Sequence, residues 1–128
     1  MATESLWARS TAVADRFLLD SVPFFAKVAT LGDTVEVRRD ADGTAWFASV
    51  VTRAEVSLVR AVIFDSAAMP LIVAELRGLG CVVELFARFK LLAASVPFSV
   101  SLATIQGYLA SRQSSGILDY EEPILRHP

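Results

Sequence analysis

Residues 119–122, reading Asp-Tyr-Glu-Glu ahead of Pro123, form the densest group of acids in the chain. They are the first candidates for chemistry. On a strand, Asp119 and Glu121 point to one face and Tyr120 to the other. Paired carboxylates raise one another's pKa and can do general acid–base work. They also bind divalent cations, although such a site needs more oxygen ligands than this segment supplies. The bland alternative is a charged edge strand that resists aggregation. Between these stands a partner contact, because an acidic patch around a tyrosine suits a basic protein. Asp33, in the Gly32-Asp33 turn, joins Asp119, Tyr120, Glu121 and Glu122 as a candidate partner-binding residue. An enzyme pairing Asp33 with Asp119 or Glu121 is the competing use of the same acids.

Nucleophilic catalysis finds less support. Acyl transfer needs a nucleophile, a base and an orienting acid within hydrogen-bond reach. The lone histidine, His127, is the penultimate residue and reads as an exposed side chain on a mobile tail. The lone cysteine, Cys81, opens an apolar strand and reads as a small buried hydrophobe. A single cysteine gives no internal disulfide and no thiolate metal site. Gly78-Leu79-Gly80 ends a helix, whereas the glycines of a dinucleotide site start one. The residues therefore assign no catalytic group, no cofactor and no metal.

Charge narrows the partner class. The formal net charge is −2 and the twelve basic residues are scattered, which argues against an electrostatic grip on nucleic acid. Arg38-Arg39 is the densest basic spot and reads as a solvated strand end. The hydrophobic fraction of 54% implies either a very complete core or apolar surface buried against another chain. Trp7, Phe24, Phe25, Trp46 and Phe47 gather in the first half. Burial predicts an aromatic core there, and a hydrophobic groove for a partner or ligand is the alternative. Leu91–Ser111 carries no charge and is long enough to span a bilayer. Its Pro97, Gln106, Gly107 and four serines instead predict a strand, a turn and a helix. Lacking a leader pattern and a disulfide, the chain is expected in the cytoplasm.

These groups must be positioned by a small set of elements. Alternation predicts strands at residues 4–9, 16–19, 34–38 and 45–51, with Asp42-Gly43 as a hairpin turn. Pro23 fixes the entry to Phe24-Phe25, and Gly32-Asp33 turns the chain into the third strand. The second half has another grammar. Strands at 58–64, 81–86, 89–96 and 117–121 alternate with helices that start near Pro70 and near Ser99 or Ser101. Pro123 is expected to end the last strand. The fold class is α+β. A small antiparallel sheet or partial barrel in residues 1–56 precedes a ferredoxin-like βαββαβ unit in residues 57–128.

Glu4-Ser5-Leu6-Trp7-Ala8, Asp20-Ser21-Val22-Pro23-Phe24-Phe25-Ala26 and Leu31-Gly32-Asp33-Thr34-Val35 carry a family pattern. With Glu75–Cys81 and Asp119–Glu122, they resemble the bacterial family known as domain of unknown function 4265. Lys27-Val28-Ala29-Thr30 departs from the glycine-containing approach expected before the turn. The resemblance implies a short bacterial cytoplasmic protein without an assigned reaction. By analogy with other small proteins of that kind, it implies a non-catalytic interaction protein. The most concrete form is an immunity protein that binds and neutralises a toxin. The alternative is a ligand-sensing or regulatory ferredoxin-like domain acting as a homodimer.

Overall fold

The computed structural model describes residues 4–128. The chain divides into two compact units, the first ending at Ala54 and the second being Glu55–Pro128. The architecture is mixed α+β, with two antiparallel four-stranded sheets and two helices.

The first unit is a meander of β1 (Ala8–Ser10), β2 (Arg16–Leu19), β3 (Thr34–Arg39) and β4 (Ala45–Thr52), paired in that order. The strand expected over residues 4–9 is confined to Ala8–Ser10 at its end. A side chain holds the residues before it. The Glu4 carboxylate accepts the successive amides of Phe24, Phe25 and Ala26 at 2.7, 3.1 and 3.0 Å. Pro23 turns the chain so that these three N–H groups converge, a concave array that suits a carboxylate. Asp40, two residues before Asp42, organises the β3–β4 hairpin. Its Oδ1 accepts the amides of Asp42 and Thr44 at 2.9 and 3.0 Å. Two register shifts place extra residues on β4 and coil it. Leu19, Ala29 and Val35 form the buried centre, with Leu6, Phe17, Val37 and Val50 packed against it.

The second unit runs β5 (Val56–Ile63), α1 (Met69–Gly78), β6 (Val82–Phe86), β7 (Leu91–Pro97), α2 (Leu102–Ser114) and β8 (Leu118–Ile124). Its sheet order is β6-β7-β5-β8, with every neighbouring pair antiparallel. The start signals of both helices are visible. Asp65 accepts the Ala67 amide at 3.0 Å and starts the short turn that leads into Pro70, while Ser101 accepts the Thr104 amide at 3.2 Å. Period-two alternation sends Val59, Ala61 and Ile63 of β5 and Leu92, Ala94 and Val96 of β7 to one face. There they meet Ile72 and Leu76 of α1 and Ile105 and Leu109 of α2. Each such Leu or Ile contributes about 1.5–3 kcal/mol through burial. Arg112 also ties the helices, lying 5.2 Å over the Tyr108 ring and 3.3 Å from the Glu75 carboxylate.

Pro123 does not end the last strand, because β8 continues to Ile124. The sheet order makes β8 an edge, and its register to β5 shifts between Leu58 and Arg60. A proline with no N–H to donate is tolerated at such a bulge on an edge strand.

Candidate functional site

The acids of β8 are brought together much as alternation requires. Register with β5 sets Asp119 opposite Val62 and Glu121 opposite Arg60, so both lie on the sheet face away from α1 and α2. Tyr120 lies opposite Ala61 and packs half-buried against the helical core. It supports the patch from behind. Asp119 is exposed, and its Oδ1 accepts Gln113 Nε2 at 2.6 Å and the Tyr120 amide at 2.9 Å. Glu121 Oε1 lies 3.1 Å from Nε of Arg60, which is almost wholly buried. Glu122 sits in the bulge, half-buried. The strand thus shows one oriented acid, Asp119, and one acid already engaged with a cation, Glu121.

Asp33 does not belong with them, which corrects the expectation of a partner contact. It is fully buried. Its Oδ2 accepts the Thr30 amide at 3.0 Å and its Oδ1 the Ala54 amide at 2.7 Å. The carboxylate pins the turn at Gly32, whose φ is +86°, to the end of the unit. Neither a partner nor a substrate proton reaches it.

His127 is also placed against expectation: it is held, not mobile. Its Nε2 lies 3.1 Å from the Pro97 carbonyl and 3.0 Å from that of Val100. Two acceptors require an N–H at Nε2, so Nδ1 is left to accept from the Ser57 hydroxyl at 2.7 Å. Ser57 Oγ in turn accepts the amides of Arg126 and His127 at 2.9 and 3.2 Å. The pair has the spacing of a serine and its base. However, Ser57 is completely buried and its oxygen is saturated by amides, so the arrangement works as a clasp that docks residues 126–127 on β5. Ser57→Ala is expected to cost about 2 kcal/mol, since two amides and an imidazole lose a buried partner. Faster carboxypeptidase trimming of the variant than of the wild type checks it.

Cys81 is buried, as its surroundings in the sequence suggested, and burial pushes its thiol up to about 11. It is a poor nucleophile there. Among the described residues, no group of three His, Cys, Asp or Glu is placed to hold a metal ion. No helix of the described residues is long and apolar enough to cross a membrane.

The aromatic core expected in the first half is the largest correction. Trp7 is 82% exposed, and Phe25, Trp46 and Phe47 are each at least half exposed. Small aliphatic residues fill the centre instead. Trp46 is tethered at the surface, donating Nε1–H to Asp40 Oδ2 at 2.8 Å. That bond keeps the Asp40 carboxyl below its usual value. Sequence reasoning also passed over Ser57, Arg60 and Glu4. Arg60 carried the one readable signal, a lone charge in the middle of the apolar run Leu58–Phe64.

Comparison with curated proteins finds no match. The crystal structure of a hypothetical protein from Neisseria gonorrhoeae is similar in fold, with a TM-score of 0.84 at 21% identity. The similarity covers 99% of this chain and 87% of that one. The profile of the family described as Domain of unknown function (DUF4265) matches residues 4–120. The Pro23–Ala26 turn, the Gly32-Asp33 turn and the start of the acidic strand through Tyr120 fall inside that match, and the chain belongs to this family.

Proposed function

We propose that this chain is a non-catalytic protein-interaction protein, most concretely an immunity protein that covers the active surface of a toxin. One observation carries the reading: aromatic side chains that composition would bury stand on the surface. Tryptophan and phenylalanine held in water forgo about 25 cal/mol for every Å² of apolar area a partner could cover. Such residues are enriched at the centres of interfaces, where they supply much of the binding energy. The groups best suited to covalent chemistry are meanwhile withdrawn, with Cys81 and Ser57 buried and His127 engaged on both ring nitrogens. The order β6-β7-β5-β8 supports reading the second unit as ferredoxin-like, with Asp119 and Glu121 on the face its helices leave free.

Those acids assign the partner a basic surface. The test is complex formation, by gel filtration and calorimetry, with a basic toxin-like protein encoded next to this one. Asp119→Lys combined with Glu122→Lys is expected to weaken the complex at least about tenfold, mainly through slower association. Glu121 is left in place because Arg60 depends on it. Absence of a complex with the wild-type chain sinks the proposal.

A further inference from the structure

The tip of the β3–β4 hairpin combines a reactive dipeptide with the turn that anchors Trp46. Asp42-Gly43 is the sole Asp-Gly pair in the chain, and the chain contains no asparagine. A glycine after aspartate leaves its amide nitrogen open to the side-chain carboxyl, because no Cβ stands in the way. Here both residues are exposed, and a Cβ built on Gly43 would meet no atom within 4 Å. Among the described residues, no hydrogen bond or ion pair holds the Asp42 carboxylate, although the Asp42 amide is bonded to Asp40. The other aspartates that precede small residues are differently placed. Asp20 is paired with Arg9 at 3.1 Å ahead of a buried Ser21. Asp65 accepts the Ala67 amide at 3.0 Å, and Asp40 accepts three donors. Asp42 alone joins a free carboxylate to an unshielded amide.

We infer that Asp42 is a modification site, where the chain isomerises to isoaspartate and so releases Trp46. The Gly43 nitrogen attacks Cγ of Asp42, forming an N–Cγ bond. The amide hydrogen and the carboxyl hydroxyl leave as one water, and a five-membered succinimide closes. Water then returns to one of its two carbonyls. Cleavage of the N–Cγ bond restores aspartate, whereas cleavage of the original peptide bond routes the backbone through Cβ and Cγ. Nothing is oxidised or reduced, and the mass is unchanged. The hairpin sets the pace. The Gly43 amide is bonded to the Asp40 carbonyl at 3.0 Å, so the turn must open before the nitrogen attacks. Asp40 opposes that opening, because its Oδ1 also holds the amides of Asp42 and Thr44. The isomerised turn has one more backbone atom between those two amides, and a new α-carboxylate. A single Oδ1 no longer meets both amides, so Asp40 loses its fixed orientation. Trp46 Nε1–H then loses its acceptor at Asp40 Oδ2.

The whole chain, held for weeks in warm buffer at neutral pH and then digested with trypsin, supplies the test. The peptide of residues 40–53 should split into two species of equal mass. The new one should accept a methyl group from S-adenosylmethionine through an isoaspartyl methyltransferase. Asp40→Ala should isomerise about tenfold faster, as local opening grows when two hydrogen bonds are lost. Gly43→Ala separates the chemistry from mere loosening. It strains a residue at φ +80° and loosens the turn, yet it should slow isomerisation severalfold because the new Cβ shields the nitrogen. The isolated isomer, in a Trp7→Phe background, should be quenched more strongly by iodide than the unmodified chain. No isoaspartate in the folded chain, after a free peptide of residues 40–53 has isomerised, would overturn the site. So would methyl acceptance confined to Asp20 or Asp65, or a Gly43→Ala rate equal to that of wild type. Unchanged quenching in the isomer would overturn the release of Trp46. If Asp40→Ala does not fold, wild type against Gly43→Ala decides.

Discussion

Asp33→Ala is expected to lower the stability of the first unit by about 3 kcal/mol, enough to unfold much of it. The carboxylate accepts the buried Thr30 amide and the half-buried Ala54 amide. Hydrogen bonds to a charged acceptor contribute about 1.5–3 kcal/mol each, and alanine removes the acceptor of both. A unit of roughly fifty residues has a total stability of about 2.5–7.5 kcal/mol at typical values per residue. The loss is therefore comparable with the whole. Both tryptophans, Trp7 and Trp46, lie in this unit. Urea unfolding followed by tryptophan fluorescence reports on it directly, while far-UV circular dichroism follows the helices of the second. Asp33→Asn is the graded control. Its amide oxygen keeps one amide partner but its NH₂ faces the other, so it should fall between wild type and alanine. A change under about 1 kcal/mol for the alanine variant would show that the turn at Gly32 holds without its anchor.

Asp33 also marks where reading the sequence stops. Gly32-Asp33 is legible as a turn because glycine takes φ > 0 and aspartate accepts nearby amides. What cannot be read is the distant donor, Ala54, which makes the same carboxylate inaccessible. The second unit was more legible than the first for a related reason. Its helix starts at Pro70 and Ser101 and its two-residue alternation are local signals. The boundaries that failed depend on distant partners. Residues 4–7 follow the amides of residues 24–26, and β8 runs through Pro123 because an edge and a bulge excuse the missing N–H. Among the candidate residues, Asp119 and Glu121 were placed correctly on one face by alternation alone. His127 was misread because its anchors, Ser57, Pro97 and Val100, lie 27 or more residues away. The aromatic residues were misplaced by a rule that runs one way only: apolar residues favour the interior, but a small unit lacks the volume to take them all.

Gly80→Ala is the second large effect, and it tests the second unit. Gly80 sits one residue past the cap of α1, with φ at +105°. The Cys81 amide reaches back to the Leu76 carbonyl at 3.1 Å and the Gly80 amide to that of Arg77 at 3.0 Å. This double closure satisfies the last carbonyls of the helix and needs a residue free to adopt positive φ. An added Cβ would stand 2.7 Å from Val100 Cγ2. The backbone term is about 1–2 kcal/mol and the overpacking term about 1–3 kcal/mol. A loss of about 3 kcal/mol is expected, measured by the denaturation midpoint of the helical signal. The two terms separate in a double variant. Val100→Ala should relieve the contact and return about 1 kcal/mol of the loss made by Gly80→Ala, leaving the conformational part. Gly107→Ala supplies the opposite sign. It lies inside α2 with open space where the methyl would go, so it should stabilise by about 0.5–1 kcal/mol through helix propensity alone. Equal effects at Gly80 and Gly107 would mean that the tight closure of α1 onto β6 does not hold the unit together.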